Sequence, residues 1–283
     1  MLGAKAIARA KINLFLEVGE LREDGYHEVR SVMQSLELAD ELYFRRTDGS
    51  QGRISIRCSD REVPLTEENL IWKAVDVFDA RYQVLEGGIE VFLNKHIPVG
   101  AGLAGGSADA AATLLALDHV YELELEREIL MEMAALVGSD VPFCLAGGTC
   151  LATGRGENIR RLEPLPPFEV VIASPGEAVS TAEAYTRYDE LSVLEGPPGE
   201  ARTLESLLDS IGKRDIEGIY SGLRNDLERA SRDVESIENY KGRALEAGAS
   251  AALMTGSGPA VYALVTGMEQ AAEVAWELEK VAP

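Results

Sequence analysis

The chain has 283 residues, 46% of them hydrophobic, enough to bury a sizeable core in two domains or one large α/β unit. Its net charge of −21 excludes a general nucleic-acid binder, which needs a basic stripe to displace counterions from phosphates. The acidity leaves an anionic substrate open, because screening over about 8 Å lets a pocket's own cations and N–H groups outweigh distant surface charge.

No run of about 18 uncharged apolar residues is present, and the first residues alternate and carry charge where a signal peptide has an apolar stretch. A cytoplasmic protein that does not engage a membrane is expected. Cys58, Cys144 and Cys150 form no CxxC pair and read as reduced, mostly buried thiols without a catalytic role. His27, His96 and His119 lie far apart and show no zinc-site spacing, so any metal is expected to arrive with a substrate.

Residues 6–18, AIARAKINLFLEV, alternate. Ala8, Ala10, Ile12, Leu14 and Leu16 share one strand face, expected in the core; Ile7, Arg9, Lys11, Asn13 and Phe15 share the other. That second face is either a solvated strand or one wall of a site, and pattern alone favours the solvated strand. DGYH, Asp24–His27, reads as a turn before a second apolar segment that is strand-forming in part, and ISIRCS as a short strand. Leu70, Ala74, Val77 and Phe78 recur at helical spacing, with Thr66 as the expected N-cap. GIEVFLNKHIPV is a strand expected to end at Pro98. After a glycine loop, SADAAATLLALDHVYEL and then ILMEMAALVG predict helices, the second leading into GSDVPF.

The proline cluster Glu163–Pro167 interrupts both helix and sheet ladders and sets the expected domain boundary, 1–162 and 163–283. Beyond it FEVVIAS is a strand, Leu204–Lys241 is mostly helical, and AALMTGSGPAVYALV reads as strand, glycine turn, strand. Strands and helices alternate without a regular βαβ period, which predicts an α+β fold.

The loop Gly100–Ser107 follows a strand and opens a helix, so its free N–H groups and the positive helix end suit an anion, above all phosphate. A plain capping turn remains an alternative. Gly100–Gly105 satisfies GxGxxG, with Glu122 near the usual acidic position, which keeps a dinucleotide-dependent oxidoreductase open. A Walker A loop nearly fits, but Gly106 occupies the place of its lysine.

The whole run KHIPVGAGLAGGSADAAA resembles the glycine-rich signature of the GHMP kinases, and AKINLFLEV with DGYHEV, then TGSGPAVYAL, resemble the flanking motifs of that family in the same order. Within it, AKINL, DGYHE and GSDVPF resemble the 4-diphosphocytidyl-2-C-methyl-D-erythritol kinases. The resemblance implies a two-domain GHMP kinase fold, with an N-terminal ribosomal-protein-S5-like nucleotide-binding domain and a C-terminal ferredoxin-like domain. It implies transfer of the ATP γ-phosphoryl group, with Mg2+, to the 2-hydroxyl of the methylerythritol moiety in non-mevalonate isoprenoid biosynthesis. Homoserine and mevalonate kinases share the glycine loop and stand as alternatives, as does a catalytically silent nucleotide-binding module.

By the same resemblance Asp140 is the catalytic base or orienting carboxylate and Lys11 its cationic partner; from pattern alone Asp140 is an N-cap before Pro142. Asn13 is implied to contact the methylerythritol hydroxyls, His27 to hydrogen-bond a cytosine and Tyr26 to stack on it, with Thr181 and Tyr185 completing that pocket. An isolated Tyr-His pair otherwise reads as a packed turn aromatic and an exposed histidine. ATP is assigned Pro98, Gly100, Ala101, Gly102, Leu103, Ala104, Gly105, Gly106 and Ser107, with Asn69 and Leu70 bordering the adenine. Gly256, Ser257 and Gly258 form a third loop that closes near the substrate phosphates, unless they are a simple glycine hairpin. Lys95 is either a stem-packing surface residue or a nucleotide contact. The implied partner is a small molecule carrying a cytidine diphosphate group, no metal ligand is assigned, and the chain is expected as a monomer or homodimer.

Overall fold

The computed structural model describes residues 3–48, 53–85, 87–175, 180–196, 199 and 202–281. Strands β1 (Gly3–Leu21) and β2 (His27–Arg46) form a long antiparallel hairpin, turned at Gly25 with φ 82. β3 (Ile54–Cys58) precedes helix α1 (Leu70–Tyr82), and β4 (Ile89–Asn94) leads through the glycine loop into α2 (Gly105–Tyr121). α3 (Arg127–Val137) and the short α4 (Val141–Ala146) follow, then β5 (Thr149–Thr153) and β6 (Asn158–Arg161).

The remaining elements are β7 (Glu169–Ala173), α5 (Thr181–Glu195), α6 (Leu204–Lys213), α7 (Ile216–Ser221), the two-residue β8 (Arg224–Asn225) with a 3-10 turn, α8 (Glu235–Glu246), β9 (Ala251–Met254), β10 (Val261–Val265) and α9 (Met268–Glu279). Among the described residues, seven strands form one sheet in the order β3-β4-β2-β1-β8, with β5 on β2 and β6 on β5. β7, β10 and β9 form a second, antiparallel sheet. The chain is α+β, and β8 carries a late segment back to the first sheet, interrupting the helical stretch expected over Leu204–Lys241. No described helix is long and apolar enough to cross a membrane.

Three hydrophobic clusters of the described residues meet along β1, the third holding Leu16 and Val18 with Tyr188, Leu227 and Val261. The first packs Leu42, Phe44, Val91 and Leu93 of the sheet against Phe78, Leu114 and Met133 of the helices. The second joins Ala10, Ile12 and Leu14 to Leu207, Ile211, Tyr262 and Leu264. Ala8 belongs to the first core, so the alternating residues do not all pack together as their period suggests. The β1–β2 ladder slips by two residues between Arg9 and Lys11 and by one between Asn13 and Phe15, and the one-residue slip re-aims the side chains around it. The solvated strand that pattern alone favours at Lys11 and Asn13 does not form: they are 3% and 2% exposed, because the glycine loop and the loop after β9 cover them.

Local signals are met with small displacements. Asn69, not Thr66, caps α1, its Oδ1 accepting from the Ile71 N–H at 2.9 Å, and the helix buries Ile71 and Val75 in place of Leu70 and Val77. β4 ends at Asn94, before Pro98, where Asp40 Oδ1 takes the N–H groups of His96 and Ile97 out of the ladder. At the start of α2, Ala104 sits in the left-handed region at φ 58. A Cβ in that conformation costs about 1–2 kcal/mol, partly offset by the greater unfolded-state freedom of glycine. Ala104→Gly is therefore expected to raise the unfolding free energy by about 0.5–1 kcal/mol in urea titration, and an unchanged or lower value would show that the loop relieves the strain another way.

Candidate active site

The residues singled out in the sequence for catalysis, nucleotide and acceptor line one cleft of about 940 Å³ between the two sheets' loops. Its centre is Lys11. The Lys11 N–H donates to the Leu103 carbonyl at 3.1 Å, which docks the glycine loop on the strand. The Lys11 ammonium donates to Asn13 Oδ1 at 2.7 Å and to the Gly102 carbonyl at 2.8 Å, and lies 3.7 Å from Asp140 Oδ2.

Asp140 occupies the N-cap position of α4, yet its side chain makes no capping hydrogen bond. Capping alone therefore does not account for it. Its carboxylate is 37% exposed and opens into the cleft beside Lys11. Asn13 also lines the cleft. Its Oδ1 also accepts from the Gly256 N–H at 2.9 Å and Thr255 Oγ1 at 3.2 Å, and its amide nitrogen donates to Ser31 Oγ at 2.8 Å. Ser31 and Thr255 were not singled out in the sequence, because their partners lie on distant segments.

The glycines divide by what surrounds them. A Cβ on Gly102 would stand 2.3 Å from the Thr255 carbonyl oxygen, and one on Gly256 2.9 Å from that of Gly102, so these two allow the two loops to touch. Gly105 packs against Ile97 and the Lys95 ammonium, each 3.1 Å from where its Cβ would be. Gly106 has room, facing Leu70 across the cleft. The first turn of α2 has no side-chain cap, so its N–H groups and helix dipole are available to an anion in the cleft. Asn69 lines this end, but its amide is used at both ends, donating to the Pro64 carbonyl at 2.8 Å while it caps α1.

Lys95 is not a surface residue. Its ammonium sits beneath Gly105 between Asp40 at 2.5 Å and Asp109 at 3.0 Å, all three nearly inaccessible. Two carboxylates around one ammonium leave a charge unmatched. Burial, opposed by Lys95, pushes the Asp109 carboxyl up to about 7, and its Oδ1 has no hydrogen-bond partner. No sequence pattern joins positions 40, 95 and 109.

At the other end, the His27 ring stacks on Tyr185 with centroids 5.4 Å apart, Tyr188 meets it edge-on, and Tyr26 lies exposed beneath the Arg155 guanidinium at 5.0 Å. His27 is held, not a free surface histidine. Thr181 Oγ1 lies 3.0 Å from Ser257 Oγ, which ties the start of α5 to the loop after β9. Gly258 continues that loop at φ 84. Among the described residues no group of three or more His, Cys, Asp or Glu is placed to hold a metal.

Two family models match the chain: GHMP kinases N terminal domain over residues 69–148 and GHMP kinases C terminal over 207–283. The chain belongs to the GHMP kinase family. A 4-diphosphocytidyl-2-C-methyl-D-erythritol kinase of Caldanaerobacter subterraneus subsp. tengcongensis is 43% identical over 280 residues, 98% of this chain and 93% of the relative. One of Pelotomaculum thermopropionicum is 44% identical over 271 residues, 95% and 92%. A crystal structure of 4-(cytidine 5'-diphospho)-2C-methyl-D-erythritol kinase superposes with a TM-score of 0.80 at 32% identity, covering 98% of this chain and 96% of that one. L. major mevalonate kinase in complex with R-mevalonate has the same fold at 17% identity, TM-score 0.76, with 99% and 92% covered.

The Asp109 shift makes stability depend on pH. Between about 4, the unfolded value, and about 7, the native state keeps a proton that the unfolded chain has lost, so stability falls as pH rises through that window and levels off above it. Asp109→Asn removes the titration. Its unfolding midpoint relative to the wild type is expected to improve from pH 4.5 to 7 and then hold constant; a difference flat across that range would mean that Asp109 titrates as an ordinary carboxylate.

Proposed function

We propose that this chain transfers the γ-phosphoryl group of ATP to the 2-hydroxyl of 4-diphosphocytidyl-2-C-methyl-D-erythritol. The observation that carries the reading is the Lys11–Asp140 pair at 3.7 Å, set between an uncapped helix N-terminus and an aromatic pocket on the opposite side of one cleft. The names of the relatives at 43% and 44% identity support it.

In this reading the loop N–H groups and Ser107 hold the ATP phosphates, with Asn69 and Leu70 at the adenine end. Asp140 takes the proton of the acceptor hydroxyl as its oxygen attacks the γ-phosphorus, and the bond to the β-phosphate oxygen breaks. Lys11 offsets the charge shared by the reacting groups and keeps Asp140 in place. Asn13 acts by fixing Lys11 and the Gly256 loop, more than by touching the acceptor. Tyr26, His27, Thr181 and Tyr185 form the cytidine end, and Gly256 and Ser257 lie where the two halves of the acceptor join. Mg2+ bound with ATP would neutralise phosphate charge; no protein ligand set is assigned to it.

The mevalonate-type alternative shares the fold but gives no use to a stacked His27–Tyr185 pair at the far end of the cleft. A dinucleotide oxidoreductase has no use for Lys11 with Asp140. We also divide the chain at 162/163, between the end of β6 at Arg161 and the start of β7 at Glu169.

Asp140→Asn keeps size while removing the base. Its turnover is expected to fall by at least about 100-fold, with ATP affinity within about threefold of wild type, as measured by coupled kinase assay and nucleotide titration. Near-normal turnover would remove Asp140 from the mechanism.

A further inference from the structure

The pocket that takes the nucleoside end contains a charged group that no sequence motif marks. Asp189 lies one turn beyond Tyr185 on α5 and lines the cleft. Its carboxylate reaches His27 Nε2, at 3.2 Å from Oδ1 and 3.3 Å from Oδ2. The other ring nitrogen, His27 Nδ1, stands 2.9 Å from the Gly19 carbonyl. A carbonyl oxygen only accepts, so Nδ1 is the donor there and Nε2 is the edge turned to Asp189.

The imidazole is nearly covered, whereas the Asp189 carboxylate is half exposed. Around them the pocket offers mostly ring faces and aliphatic carbons, from Tyr26, Tyr185, Leu21, Val29 and Leu227. A planar base fits such walls through its faces, which every base has, so stacking does not tell one pyrimidine from another. Discrimination has to come from the polar edge. An ionised carboxylate accepts hydrogen bonds and donates none.

We propose that Asp189 is a specificity-determining residue of the acceptor site, its carboxylate accepting from the exocyclic amino group of a cytosine and turning away a uracil. Cytosine presents an amino donor at C4 beside an acceptor at N3. Uracil presents a carbonyl at C4 beside an N3–H. With the ribose fixed on one side of the ring, a uracil in the same pose sets its C4 oxygen against the carboxylate, and two acceptors facing each other leave both unpaired in a partly desolvated pocket. A site built around a hydrogen bond of this kind rejects the analogue that cannot make it far more strongly than a pocket of shape alone. The same carboxylate also orients His27, so the two roles must be separated by experiment.

The inference rests on the cytidine-bearing acceptor of the proposed function. The test measures kcat/KM for the cytidine diphosphate acceptor and its uridine counterpart in wild type, Asp189→Asn and Asp189→Ala, with circular dichroism as a check on folding. The wild type is expected to favour cytidine. Asp189→Asn keeps one acceptor oxygen and adds an amide donor that a uracil carbonyl can take, so the cytidine-to-uridine ratio is expected to fall by about tenfold or more, largely through gain on the uridine side. Asp189→Ala should lose the ratio without that gain. A cytidine-selective wild type whose Asp189→Asn variant keeps the same ratio, even at lower overall rate, would overturn the inference alone and leave Asp189 as a support for His27. A wild type that does not distinguish the two acceptors would overturn the inference and the cytidine assignment together.

Discussion

The arrangement of this protein depends on one amide oxygen. Asn13 Oδ1 accepts from the Lys11 ammonium, the Gly256 N–H and the Thr255 hydroxyl, and so joins a strand of the first sheet to the loop that leaves β9 of the second. The ammonium it helps to hold is almost completely buried, and a buried charge is tolerated only where donors and acceptors match. A hydrogen bond to a charged group contributes roughly 1.5–3 kcal/mol, and leaving such a group unpaired costs more than that gain. Lys11 therefore needs Asn13 and the Gly102 carbonyl for stability, whatever its proposed part with Asp140 in the chemistry.

Close backbone approach follows from the same knot. The glycine loop and the loop after β9 touch at Gly102 and Gly256, where a single methyl group on either would strike the other's backbone. The α-carbons are bare where the loops meet each other, at Gly102 and Gly256, and at Gly106 where the loop faces open cleft. The two uses look identical in a glycine-rich motif, and only the packing separates them.

Charge is distributed in the same economical way. The chain is strongly acidic, yet among the described residues Lys11, Lys95 and Arg155 line the cleft. Lys95 is surrounded by Asp40 and Asp109 and adds little field to the loop above it, and Arg155 is spread over the Tyr26 ring. In the proposed reading, attraction for phosphate falls mainly to the α2 N–H groups and to Lys11, short-range donors that a negative surface screens little at this distance.

Much of this was legible in the sequence. Alternation marked β1 and its apolar positions, the GAGLAGGS run marked a loop opening a helix, and the order of three motifs pointed to the family before any coordinate was known. Local chemistry has local signals: strand period, capping residues and glycine clusters operate within a few positions. What the sequence did not reveal was cover and company. Pattern alone favours a solvated face at Lys11 and Asn13 because the groups that bury them come from residues 102–103 and 255–256. Lys95 stood open between a stem-packing surface residue and a nucleotide contact, because Asp40 and Asp109, which close around it, lie 55 and 14 positions away. Asp189, an unremarkable acid in a polar helix, gained its meaning from His27 at a separation of 162 residues. Pairings at that range depend on how two sheets and their loops dock. A bulge that slips the ladder by one residue redirects the side chains on either side of it, and such a slip is set by the partners it meets, which only the tertiary structure assembles.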